Sequence, residues 1–157
     1  MNKIQLHQQL MIHLQQLLEN AKAAAKRAHE TATSEENIAE NKYDTLALEA
    51  AYLAQGQSQR VTQCQADLDA CINLPLRKSN KGELGALVVL VDGNEQAKYL
   101  LICPVAGGIK LYWEQHEVLV VTPQSPMGSA LLNQQVDDQV TITIANKKLD
   151  YEILQII

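Results

Sequence analysis

Glycine and proline are spread so unevenly along this chain that they divide it in two. No proline precedes Pro75, and Gly56 is the only glycine before it; the four prolines and the other six glycines all follow. These residues punctuate turns and break helices. Residues 1–74 can therefore run as long helix, whereas residues 85–157 read as a small, turn-rich, strand-containing domain. Residues 75–84, opened by Pro75 and rich in polar side chains, read as the linker between them.

The first half carries a coiled-coil rhythm. Leu10, Leu14, Leu17, Ala21, Ala24 and Ala28 recur at alternating gaps of four and three, the spacing that keeps one apolar seam facing a partner helix. Leu6 and Ile4 extend it loosely. Leu46, Ala50, Leu53, Gln57, Val61, Cys64, Leu68 and Cys71 form a second stripe. Gln57 interrupts it, and Gly56 weakens the helix there by about 0.5–1 kcal/mol relative to alanine. The rhythm lapses between Thr31 and Asp44, with the midpoint near Ile38. Two nearly equal arms, each roughly 30 residues and about 45 Å long, predict an antiparallel hairpin within one chain, and a monomer. Helices pairing between two chains, in an adaptor dimer joined through residues 4–71, are the alternative.

The lapse itself, TATSEENIAENKYD, is crowded with cap residues. Thr33 with Glu36, and Asn37 with Glu40, have capping-box spacing. Glu35, Glu36, Glu40 and Asp44 also suit the positive end of a returning helix. A second reading makes the tip a carboxylate probe, because Glu36 and Glu40, four apart, share one face of a helical turn. Two exposed carboxylates about 4 Å apart repel by only about 1 kcal/mol in water, so they can stand together without an ion. Mg²⁺ is usually held by one or two carboxylates together with phosphates and waters. Such a tip becomes useful when another protein's active site completes the metal shell, with Asp44 as a further candidate.

In the second half, residues 87–91 and 99–103 are apolar, β-rich runs joined through Asp92-Gly93, a tight-turn signal. Residues 117–122 form another strand candidate. Ser125 can cap a short helix with Pro126 at its first position, and Leu131 and Leu132 close it. Residues 139–144 alternate, Asn146-Lys147 makes a turn, and Leu149, Tyr151 and Ile153 complete a terminal hairpin. The expectation is an α+β chain: a helical hairpin, then a mostly antiparallel sheet with one short helix.

Composition narrows the function. A formal net charge of -5 does not suit a direct grip on nucleic acid, which needs clustered Lys and Arg. The longest apolar runs, such as residues 86–91, are too short to span a bilayer, and the opening MNKIQLHQQL has no apolar signal core. Cys64 and Cys71 would lie about 10 Å apart along a helix, too far for a disulfide. With Cys103 they read as reduced core cysteines of a cytoplasmic protein. His7, His13, His29 and His116 have no metal-ligand spacing. Ser125 has no His/Asp constellation around it, and Gly107-Gly108 lacks the residues of a phosphate loop. Arg77, Lys78 and Lys81 read as a solvated basic cluster, while Tyr112 and Trp113 read as packing residues with a partner contact as the alternative.

The C-terminal residues carry a resemblance. A helical hairpin followed by Ser125-Pro126, Ala130-Leu131-Leu132, Val136-Asp137-Asp138-Gln139-Val140 and a closing two-strand hairpin resembles the GreA/GreB family of bacterial transcription factors. The resemblance is strongest over residues 118–157, and Glu40-Asn41-Lys42-Tyr43 is similar to the family's Glu-Asn segment beyond the tip. It implies an FKBP-like C-terminal fold that docks on RNA polymerase, with the Ser125, Pro126 and Met127 motif near the contact. It also implies a coiled coil that enters the secondary channel. In cleavage-active members acidic tip residues help hold a catalytic Mg²⁺ of the polymerase, which points to Glu36 and Glu40 here. The protein would then be no enzyme and carry no cofactor of its own, and would meet nucleic acid only within the elongation complex. Prolyl isomerisation is the activity that an FKBP-like fold alone suggests, but a chain without phenylalanine is poorly equipped to line such a pocket. Two departures from the family stand out: Asn37 occupies the place of an aspartate in active members, and Ser34-Glu35 stand where the family has a glycine. Both leave open a regulator that occupies the channel without strong cleavage.

Overall fold

The computed structural model describes residues 2–34 and 45–157. Helix α1 runs Lys3–Thr33 and helix α2 runs Thr45–Ile72. Asn2 starts α1, its side-chain oxygen accepting the Ile4 amide at 3.1 Å, which satisfies a donor that the first turn leaves open. Thr33 is still helical, its hydroxyl donating back to the His29 carbonyl at 2.8 Å. It therefore closes α1 instead of opening α2 in a capping box with Glu36. The hairpin turn near Ile38, and with it Glu36, Asn37, Glu40 and Asp44, lies outside the described residues.

The chain forms two compact units, one of Ile12–Asp69 and one of the residues up to Met11 together with Ala70–Ile157. In the first, Ala24, Arg27, Ala28 and Thr31 of α1 and Ala50, Leu53 and Gln57 of α2 line a shared groove. The buried seam differs by one position from the sequence expectation. Leu18 is 2% exposed and faces inward, whereas Leu17 is only half-buried. On α2, Ala47 and Ala54 turn inward and leave Leu46 and Leu53 72% and 58% exposed. Each discrepancy falls where two apolar residues are adjacent, so that the rhythm is satisfied by either. The inner row is then Ala47, Ala50, Ala54, Gln57, Val61, Cys64 and Leu68, an unbroken alternation of three and four.

The second unit is built on a sheet of β1 (Leu87–Asp92), β2 (Ala97–Ile102), β3 (Lys110–Trp113), β4 (His116–Val121), β5 (Gln139–Ile144) and β6 (Lys147–Ile156), with helix α3 (Pro126–Leu131) before β5. The order is β3-β4-β2-β1-β6-β5. Every pairing is antiparallel except β2 with β4. Strand β3 has no counterpart in the sequence expectation, because its four residues KLYW are too few to display alternation. The Asp92-Gly93 connection is also longer than a two-residue turn. The Asp92 carboxylate accepts the Asn94 and Gln96 amides at 2.9 and 3.0 Å, and Glu95 takes the left-handed backbone at φ 60°. At the last hairpin the turn is Ala145-Asn146, both at positive φ (47° and 64°), as the primed two-residue turn requires. Lys147 already belongs to β6.

One face of the sheet closes over Val88, Leu90, Leu100, Ile102, Val121, Val140, Ile142 and Ile153, with Leu131 of α3 in the same core. The opposite face buries Leu87, Leu101, Leu111, Val118 and Val120, and Leu6 and Leu10 of α1 are likewise fully buried in this unit. Lys3, 6% exposed, fixes the start of α1 there. Its ammonium donates to the carbonyls of Gly85 at 3.1 Å and Ile157 at 3.0 Å and to that of Arg77. Three donors thus meet three acceptors, which offsets much of the cost of burying the charge; burial still pulls its pKa below the ordinary lysine value, against the opposing field of Glu83. His7 bonds the Cys71 carbonyl at 2.8 Å.

Residues 75–84 are docked onto the domain. The Gly82 amide donates to the Gln134 carbonyl and the Gly82 carbonyl accepts the Asn133 amide, both at 2.8 Å. Arg77 and Lys81 pair with Glu83 at 3.4 and 4.0 Å instead of standing free in solvent. Gly85 (φ 82°) sits where an added Cβ would lie 1.7 Å from the Pro75 carbonyl oxygen, so glycine is required there.

Candidate partner-binding site

The strongest site geometry surrounds Ser125, Pro126 and Met127. Ser125 is the N-cap of α3, as its sequence predicts. Its backbone is extended, its Oγ accepts the Gly128 amide at 3.0 Å, and its hydroxyl donates to the Thr122 carbonyl at 2.8 Å. Pro126 fills the first helical turn, where a missing N–H costs nothing. The helix begins against the end of β4 so closely that a Cβ on Gly128 would lie 2.0 Å from the Thr122 carbonyl oxygen. The Ser-Pro-Met-Gly sequence is thus a compact corner from strand to helix, and its outcome is to place Met127.

Met127 lines one side of an open cleft of about 390 Å³, whose other lining includes Lys98, Tyr99, Leu100, His116, Glu117 and Leu119. The floor comes from the adjacent strands β2 and β4, in which Leu100 stands beside Leu119. The charged groups at its rim are already engaged. Lys98 donates to the Tyr151 hydroxyl at 2.8 Å. Glu117 pairs with Lys110 at 3.0 Å and, through that hydrogen bond above all, holds the Lys110 pKa above its usual value. Beside the cleft the His116 ring lies between Tyr99 and Trp113, with centroids at 4.6 and 5.7 Å, and Tyr112 is exposed. Such a surface can seat apolar side chains of another protein. Ser125 spends both its hydrogen-bonding roles on the cap, so it is not a nucleophile.

Glu36, Glu40 and Asp44 fall outside the described residues. Among the described residues no group of three or more His, Cys, Asp or Glu could hold a metal ion. Cys64, Cys71 and Cys103 are buried and form no disulfide, and burial, with Cys71 nearby, raises the Cys103 thiol far above its usual range, which suppresses thiolate chemistry. Among the described residues no helix is long and apolar enough to cross a membrane. Lys98, Glu117 and Leu119 were not singled out by sequence. They become neighbours of Met127 only through the parallel pairing of β2 with β4, which no local motif announces.

No curated protein matches the chain. Among solved structures it is similar to the transcription factor Gfh1 (20% identity, 97% of this chain and 93% of that one, TM-score 0.42). It is also similar to Gfh1 of Thermus aquaticus (23% identity, 96% and 93%, TM-score 0.37). A third is a GreA/GreB factor of Nitrosomonas europaea (15% identity, 72% and 91%, TM-score 0.33). The family model described as "Transcription elongation factor, GreA/GreB, C-term" matches residues 79–157. These residues span the second half of the docked linker, the whole sheet and the Ser125-Pro126-Met127 corner, so the chain belongs to the GreA/GreB family of transcription elongation factors.

Proposed function

We propose that this protein binds bacterial RNA polymerase through its C-terminal domain and carries its helical hairpin into the secondary channel. There it modulates elongation and the cleavage of backtracked RNA. The observation that carries this reading is the family match over residues 79–157, together with the α3 corner that presents Met127 at an open cleft of mixed polar and apolar lining. The protein acts as a cytoplasmic partner of the polymerase and not as an enzyme. Any Mg²⁺ involved is the polymerase's, supplying the two-metal stabilisation of phosphoryl transfer, and Glu36 and Glu40 are the candidate carboxylates directed to it. Asn37, a neutral side chain in place of a carboxylate, favours weak cleavage with retained channel occupancy.

Stalled, backtracked elongation complexes test this with Mg²⁺ present and the protein added or omitted. Shortening of the RNA from its 3′ end, lost in Glu36→Ala/Glu40→Ala, identifies a cleavage factor and assigns the tip. No shortening, with protection of the complex from a second cleavage factor, identifies a channel-occupying regulator. Failure of the full chain to bind core polymerase at micromolar concentration overturns the proposal.

A further inference from the structure

The two edges of the sheet are treated differently. At the β3 edge, the Gln9 side-chain amide donates to the Tyr112 carbonyl at 2.7 Å and accepts the Tyr112 amide at 2.9 Å. One side chain thus imitates a neighbouring strand and blocks further pairing. The β5 edge has no such guard. Ile144 and Lys147 flank the two-residue turn, so they exchange both hydrogen bonds with each other, as do alternate pairs along the ladder. Val140, Ile142 and Ile144 therefore bond inward to β6, and Gln139, Thr141 and Thr143 turn their N–H and C=O groups outward. Among the described residues no backbone group of another segment reaches those three. The strand reads QVTITI: five β-branched residues in six, with no charge, proline or glycine, the composition that favours strand addition.

We propose that β5 pairs antiparallel with β5 of a second copy of this chain, joining two sheets into one. The flanking charges select this occupant and direction. Asp137 and Asp138 precede the strand, and Lys147 and Lys148 follow its turn. An antiparallel two-fold pairing lays the acidic end of each copy beside the basic end of the other, whereas a parallel pairing sets acid against acid. With the axis at Thr141, Gln139 of each copy faces Thr143 of its mate across the outward hydrogen-bonding groups. Ile144, 43% exposed, gains cover from the mate. The helical seam stays within one chain, so this dimer differs from one that pairs helices between chains.

The test is sedimentation equilibrium of the full chain and of two edge variants. Thr141→Pro removes an outward amide at an edge position where proline is compatible with a strand, and Thr143→Lys adds an edge charge. The wild-type mass is expected to rise from 17.4 kDa toward twice that value between about 10 µM and about 1 mM, the range expected of a small interface. Both variants are expected to stay at one chain with unchanged far-ultraviolet circular dichroism. If Thr141→Pro loses its fold, Thr143→Lys decides the question. A wild-type mass of one chain throughout overturns the proposal, and so does dimerisation that Thr143→Lys leaves intact.

Discussion

The domain that carries the family match and the distal part of the helical pair follow equally regular patterns, yet they hold themselves together differently. In the domain, both faces of the sheet are covered by large aliphatic side chains, and backbone segments approach closely at Gly85 and Gly128. Among the described residues every buried side-chain polar atom has a partner. In the distal part of the helical pair, the rhythm is carried by Ala24, Ala28, Ala50 and Gln57, which border an open groove of about 300 Å³. Leu46, Leu48 and Tyr52 are turned to solvent there, and Leu53, though it borders the groove, is 58% exposed. Periodicity fixes which faces meet, but side-chain volume fixes how firmly they hold. The difference suits the roles proposed above, a domain that docks and a hairpin that probes, and it can be tested residue by residue.

The largest contrast is expected between two leucines. Leu100→Ala, in the closed sheet core, should destabilise by about 2–5 kcal/mol in urea unfolding, as buried leucine truncations do. Leu53→Ala, on the open part of α2, should change stability by no more than about 0.5 kcal/mol. Equal losses would erase the distinction between the two regions. Gly128→Ala comes next, at about 1–3 kcal/mol, because its methyl group must displace the Thr122 carbonyl or α3. Its effect on polymerase binding should exceed that of Leu53→Ala. Ser125→Ala removes a cap whose two hydrogen bonds are both formed and should cost about 1 kcal/mol.

The smallest effect is a pH dependence. Glu83 has a depressed pKa, chiefly through a hydrogen bond from Ser79 and then the charge of Arg77. A carboxylate with a folded pKa below its unfolded one contributes stability that is complete above the unfolded value and is lost as pH falls through the folded one. Glu83→Gln should therefore lower the unfolding midpoint slightly at pH 7, and the wild type and variant should converge at acid pH. A constant offset across pH would assign the loss to packing instead.

Much of this architecture was legible in the chain. The bias of glycine and proline marked where helix gives way to sheet, and Ser125 with Pro126 marked the start of α3, because both act through local backbone chemistry. What escaped was non-local. Ala47 and Ala54 displace Leu46 and Leu53 from the seam because one-dimensional rhythm does not distinguish adjacent apolar residues. Strand β3 and the parallel join of β2 to β4 depend on pairing across the chain, and with them the cleft beside Met127. The cage of carbonyls around Lys3 joins Arg77, Gly85 and Ile157, residues whose separation in sequence gives no warning that they meet.

Competition for core RNA polymerase tests the central claim most directly. Fluorescently labelled cleavage factor is bound to the polymerase, and unlabelled full-length protein is titrated in while anisotropy is followed. The account predicts complete, saturable displacement by the wild type and weaker displacement by Met127→Asp, which replaces the apolar side chain at the cleft wall with a charge beside Glu117. Anisotropy that stays constant through the titration, with the competitor shown to be folded, would contradict it.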